Sequence, residues 1–144
     1  MPQFNKLDIP SSLVEEIIEH GRGESPNECC GLIAGRIVEG VGTASVRYVI
    51  KNDAASSKNY WSNARDMLDA FRSMRDGRLE ILAIYHSHPN TEPVPSLRDI
   101  EQNAYGESVV HLIVSLADAL PAVRAWWLTE TGYREAVWHS IQGQ

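Results

Sequence analysis

The chain has 144 residues, 43% of them hydrophobic and 22% charged, with a formal net charge of −6. That size and balance predict one globular domain over residues 1–144. The acidic charge argues against a general binder of nucleic acid or of acidic membranes. No apolar run reaches a transmembrane length. Met1-Pro2-Gln3-Phe4-Asn5 has no basic region followed by an apolar core, so a cytoplasmic protein is the expectation.

Pro10-Ser11-Ser12 opens the first predicted helix. Ser12 and Glu15 read as a capping box, and Leu13, Val14, Ile17 and Ile18 form an apolar stripe. Gly21 and Gly23 are expected to stop it. A loop over 24–27 leads to Glu28, and Cys30–Val38 reads as a strand. Cys29 and Cys30 are the only cysteines. Adjacent residues rarely satisfy disulfide geometry, so buried free thiols are expected. Strand neighbours point to opposite faces, which makes the pair a poor source of metal ligands.

Gly40-Val41-Gly42 is read as a turn and 43–51 as a strand with Val46, Tyr48 and Ile50 on one face. A polar loop over 52–59 precedes Tyr60-Trp61, and Ser62 reads as the cap of the next helix. The two aromatics either contact a substrate or staple the loop to the core. Ala64, Met67, Leu68, Phe71 and Met74 have helical spacing, and Gly77 ends that helix.

The next stretch organises the chain. Ile81-Leu82-Ala83-Ile84-Tyr85 is short, apolar and partly β-branched, so it predicts a buried strand that runs on through His86-Ser87-His88. Residues two apart on a strand share a face, about 6.5–7 Å apart, so two imidazoles can converge on one ion. Pro89 cannot donate to a ladder and should end the strand. Ser96-Leu97-Arg98-Asp99 then reads as a helix start with Ser96 as N-cap. Its first turn would face the strand end. His86, His88 and Asp99 are therefore the candidate ligands of one zinc ion. Three protein ligands with one open position is the pattern of a catalytic zinc. No His-Glu-x-x-His helix and no Cys-x-x-Cys is present, so zincin and zinc-deaminase sites are not expected.

The remaining helix is expected to pack through Leu97, Ile100 and Ala104 and to end at Gly106. Residues 109–114 read as a central strand buried on both faces, with His111 as a hydrogen-bonded core histidine. Ala122–Leu128 is a strand, Thr129-Glu130-Thr131-Gly132 a turn, and 133–141 the returning strand. Trp126, Trp127 and Trp138 are expected in the core. The order predicts an α+β protein with a mixed, mostly antiparallel sheet flanked by helices.

The zinc pattern resembles that of the JAMM (MPN-plus) metallopeptidases. Their signature is an upstream Glu, then His-x-His-Pro, six residues and Ser-x-x-Asp. Here Asn90 to Pro95 fill the interval between Pro89 and Ser96. The upstream element is similar to Pro26-Asn27-Glu28-Cys29-Cys30-Gly31-Leu32-Ile33-Ala34-Gly35. Ser62-Asn63 departs from an Asp-Pro pair common in the family near this point; the metal pattern is intact.

The resemblance implies a cytidine-deaminase-like fold, with Glu28 as general acid/base and Ser96 as a hydrogen-bond donor to the oxyanion. It implies hydrolysis after the Gly-Gly terminus of a ubiquitin-like protein. Eukaryotic members carry extra segments that grip ubiquitin, and this chain has only short loops there. The substrate implied is therefore a ubiquitin-like sulfur-carrier protein, as for short bacterial members. The alternatives are a zinc amidohydrolase acting on small or cell-wall peptides and a non-catalytic MPN scaffold. Scaffold relatives have lost ligands, whereas Glu28, His86, His88, Ser96 and Asp99 are all present.

Overall fold

A computed structural model describes residues 3–142. Its elements are β1 (Lys6–Pro10), α1 (Ser11–Glu24), β2 (Cys30–Val38), β3 (Val41–Ile50), α2 (Ala64–Asp76) and β4 (Glu80–His88). They continue with α3 (Leu97–Glu101), β5 (Val110–Ser115), β6 (Ala122–Leu128), β7 (Tyr133–Glu135) and β8 (Val137–Ile141). The expected α+β class holds. All eight strands form one mixed sheet in the order β7-β6-β5-β4-β2-β3-β1-β8. No helix among the described residues is long and apolar enough to cross a membrane.

Apolar residues on both faces of the central strands create two cores. Ala83 and Tyr85 of β4 join Leu13 and Ile17 of α1 in the first. Ile84 joins Leu32, Ala70 and Met74 in the second, beneath α2. The pairing shifts register between Ile33 and Ala34 against β4, and between Ala34 and Gly35 against β3. Such bulges let consecutive residues address one side. Leu82 and Ala83 accordingly both enter the first core. Beyond the bulge β4 alternates strictly, so His86 and His88 share the face of Ile84.

Several expectations are corrected at element ends. Residues 6–10 form a strand that pairs in parallel with β3 and β8. Its alternation is only Leu7 and Ile9, and its partners lie far away in sequence. The Ser12–Glu15 capping box does not form. The helix begins at Ser11 behind Pro10, with no side-chain cap bond, and runs through both glycines to Glu24. Asn63, not Ser62, caps α2 by accepting from the Asp66 N–H at 2.9 Å, while Ser62 bridges to Asn52. The β2–β3 turn is Glu39-Gly40, with φ of 51° and 80°. Both values lie in the left-handed region that a two-residue hairpin turn demands; Val41 and Gly42 already belong to β3.

Helix α3 stops at Glu101, short of Gly106, and Leu97 and Ala104 are exposed. Asn103 takes over the backbone there. Its oxygen accepts from the Tyr105 N–H at 3.1 Å and its amide donates to the Gly106 carbonyl at 2.9 Å. The returning strand 133–141 is broken at Ala136. Its first part pairs with β6 and its second with β1, at opposite sheet edges. One residue can join opposite edges only if the sheet curls. Ala136 N–H reaches the Ala125 carbonyl at 2.8 Å, and the Phe4 and Trp127 rings lie 5.3 Å apart. The sheet wraps α1, and its convex face carries α2, α3 and the histidines.

Candidate metal centre

Strand periodicity delivers His86 and His88 to one face, and buried Pro89 follows the last residue of β4. The segment after Pro89 is clamped to neighbouring strands. Ser115 Oγ donates to the Thr91 carbonyl at 2.6 Å, and Trp126 Nε1 to the Pro93 carbonyl at 2.8 Å. Val94 and Ile100 pack on Ile113, Trp126 and Leu128. These contacts set α3 over the strand ends. Its capping box forms as expected: Ser96 Oγ accepts from the Asp99 N–H at 3.1 Å, and Asp99 Oδ2 from the Ser96 N–H at 2.9 Å. Asp99 is thereby oriented by its own helix start.

Three donor atoms converge. His86 Nε2 and His88 Nε2 lie 3.1 Å apart, and each is 3.3 Å from Asp99 Oδ2. Tetrahedral zinc with ligands at about 2.0–2.2 Å requires donor–donor edges of about 3.3–3.6 Å. The triangle fits such an ion within a few tenths of an ångström. The donor chemistry fits as well. His88 Nδ1 donates to the Glu92 carbonyl at 2.7 Å, leaving Nε2 with its lone pair. All three residues are buried. Burial pushes the Asp99 carboxyl up, but the histidines and the Ser96 N–H outweigh it and hold it well below the usual range. Burial pulls His88 down, but Asp99 and the Glu92 carbonyl outweigh that, and its pKa is raised. The pocket is built for a carboxylate facing a cation.

Glu28 lies just before β2, whose Cys30 pairs with His86. Its backbone is held from three directions. Its N–H donates to the Ser56 carbonyl at 2.7 Å, and its carbonyl accepts from Asn52 Nδ2 at 2.9 Å. The next N–H, of Cys29, donates to Ser87 Oγ at 2.8 Å. The side chain is 3% exposed, and Oε1 has no hydrogen-bond partner. Burial pushes its pKa up to about 8; the charge of His88 opposes the rise and that of Asp99 adds to it. A carboxyl poised near neutrality and in the field of two candidate ligands suits proton transfer.

Two further residues shape the centre; Asn52 carries no sequence signal, and the sequence does not foretell the contact of Tyr60 with His86. Tyr60 stacks on His86, with ring centroids 4.7 Å apart and planes 31° apart. It lies half-buried, packed against the second core as a staple would be, while Trp61 is 64% exposed. Asn52 is the other. Beyond its bond to Glu28 it donates to the Asn59 carbonyl at 3.3 Å, and its oxygen accepts from the N–H groups of Ala54 and Trp61 at 3.0 and 2.8 Å. A second tie is the Asn59 side-chain oxygen, which accepts from the Arg98 guanidinium at 2.9 and 3.2 Å.

His111 is buried as expected, but its Nε2 has no hydrogen-bond partner, a correction to the hydrogen-bonded core reading. The parallel pairing sets it beside Ile84, and it lines the same pocket as Asp99. Burial, and then the charge of His86, push its pKa down to about 3, with Asp99 opposing. Cys29 and Cys30 are free and buried, and burial pushes their thiols up to about 11 and 12. Cys30 Sγ donates to the Ile50 carbonyl at 3.4 Å. Neither thiol is a nucleophile at neutral pH.

The family described as prokaryotic homologs of the JAB domain matches residues 10–129. The chain belongs to this family. It is 33% identical over 95 residues to the CysO-cysteine peptidase of Mycobacterium tuberculosis, covering 66% of this chain. That match spans 64% of the mycobacterial protein's length. The desampylase of Haloferax volcanii is 27% identical over 116 residues, covering 77% of this JAB chain and 81% of the archaeal one. A solved structure of a protein from Desulfitobacterium hafniense superposes with a TM-score of 0.86 at 28% identity. It covers 95% of this chain and 94% of that one.

Proposed function

We propose that this JAB protein is a zinc-dependent peptidase that cleaves the amide bond after the Gly-Gly terminus of a ubiquitin-like sulfur-carrier protein. The observation that carries the reading is the convergence of His86, His88 and Asp99 within 3.3 Å in the electrostatic reach of buried Glu28. Relatives named as a CysO-cysteine peptidase and a desampylase support the hydrolytic class. The cytidine-deaminase-like fold implied by the resemblance and a cytoplasmic location belong to the same reading.

His86, His88 and Asp99 would hold one zinc ion. Bound there, zinc supplies Lewis acidity and lowers the pKa of a water towards about 7. Glu28 takes the proton of the attacking water and later delivers it to the leaving amine. Ser96 Oγ uses its lone pair for the Asp99 N–H, so its own O–H is left to donate to the developing oxyanion. The neutral Cys29 and Cys30 thiols leave hydrolysis without a covalent intermediate as the route.

The test pairs metal content with hydrolysis of a Gly-Gly-tailed carrier adduct, with and without chelator. About one zinc per chain and chelator-sensitive cleavage are expected. Asp99→Ala and His88→Ala should lose both zinc and turnover, and Glu28→Gln turnover alone. Bound zinc with no cleavage of any carrier adduct would overturn the substrate. Failure to bind supplied zinc would favour the scaffold.

A further inference from the structure

Next to the metal centre, on the same face of the sheet, lies a pocket of about 280 Å³. Leu32 and Ile84 line it from the sheet and Met67 from α2; Tyr60, Trp61 and Tyr105 contribute aromatic surface. Asp99 belongs to both the pocket lining and the metal triangle. It is the one formally charged residue among those lining it. A void of about 150 Å³ already accommodates benzene, so this pocket has room for an aromatic side chain. Trp61 is 64% exposed, as a pocket open to an incoming group requires.

The Proposed function, on which this step rests, restricts the occupant. A carrier ending in Gly-Gly brings no side chain to the positions on the carbonyl side of the cleaved bond. Its third residue from the end begins about 7 Å away along an extended chain. A pocket that shares Asp99 with the metal triangle adjoins the reacting carbonyl directly. The group able to fill it is the one joined through the amine.

We propose that this pocket is the subsite for the first residue on the amine side of the cleaved bond, and that it selects apolar or aromatic side chains. Tyr60, through its stack on His86, makes the wall between pocket and metal. The largely apolar lining makes burial of an acidic side chain there costly.

The experiment uses the zinc-loaded protein and the carrier extended by one residue after Gly-Gly, with alanine, cysteine, leucine, phenylalanine or aspartate in that place. Leucine and phenylalanine should raise kcat/KM over alanine by roughly tenfold or more, and aspartate should fall below it. Trp61→Ala, a change at an exposed residue, should collapse the phenylalanine-to-alanine ratio towards one. Phenylalaninamide should inhibit the alanine reaction more strongly than alaninamide does. Equal rates for all five extensions would overturn the subsite and leave the peptidase standing, as would a ratio unchanged in Trp61→Ala. With zinc bound and no extension cleaved, the peptidase reading fails and the subsite with it.

Discussion

Replacing Glu28 by glutamine isolates the energetic effect of burying its carboxyl. The group is 3% exposed, and its pKa is raised from 4.5 to about 8. A folded value above the unfolded one means that the folded state holds the proton more tightly. Stability is then complete below pH 4.5 and is lost as pH rises towards 8. At pH 7 the loss is about 3 kcal/mol, from about 1.36 kcal/mol per pH unit above the unfolded value. Glutamine keeps the shape and does not titrate. In chelator-treated protein, urea unfolding of wild type and Glu28→Gln should coincide at pH 4.5. At pH 7 the variant should be more stable by about 3 kcal/mol, or about 6–12 °C in Tm. Zinc should narrow the gap, because its charge favours the carboxylate. Parallel stability curves from pH 4.5 to 8 would refute the burial argument.

His111→Leu should remove a different pH dependence. Neutral His111, with its pKa pushed down to about 3, makes the fold less stable as pH falls from 6.5; between pH 7 and 5 the variant should gain on wild type by about 2 kcal/mol, read by thermal unfolding at the two pH values. Asn52→Leu deprives the Glu28 and Asn59 carbonyls and the Ala54 and Trp61 N–H groups of their partner. Roughly 3 kcal/mol of stability should be lost, and kcat should fall more than KM rises, measured on the carrier adduct. Gly35→Ala places a Cβ 1.9 Å from the Thr43 carbonyl oxygen at the bulge. The backbone must move, so a loss of about 3 kcal/mol or more is expected by denaturant titration, where a solvent-facing glycine such as Gly23 should tolerate alanine.

Residues close in sequence were legible because their geometry is local. The two-residue spacing of His86 and His88, the proline stop and the Ser96–Asp99 cap each follow from the dihedrals of a few neighbouring residues. The strands Cys30–Val38 and Ala122–Leu128 match their predicted limits, since apolar runs bounded by turn residues carry that signal. The first strand and the split at Ala136 were illegible. Both depend on the parallel pairing of β1 with β8 across a curled sheet, and nothing within a five-residue window encodes a partner far along the chain. The Ser12–Glu15 pattern failed for a related reason: capping is one of several ways to satisfy a helix start, and packing after β1 set the boundary two residues earlier.

The metal triangle thus divides between the two levels. Residue types and spacing specify which groups can be ligands and which way each leaves its own element. Long-range packing decides the rest. Ile100 and Val94 on β5 and β6 bring Asp99 to within 3.3 Å of both imidazoles. The pairing of β2 with β4 and the Asn52 network bring Glu28 to the same face. Removal from water then raises its pKa to about 8. Tyr60 over His86 and the pocket beside Asp99 have the same origin. Orientation along one strand or one helix turn is a property of the local backbone. Proximity and desolvation come from segments far apart in the chain, and they exist only once the sheet has closed around α1.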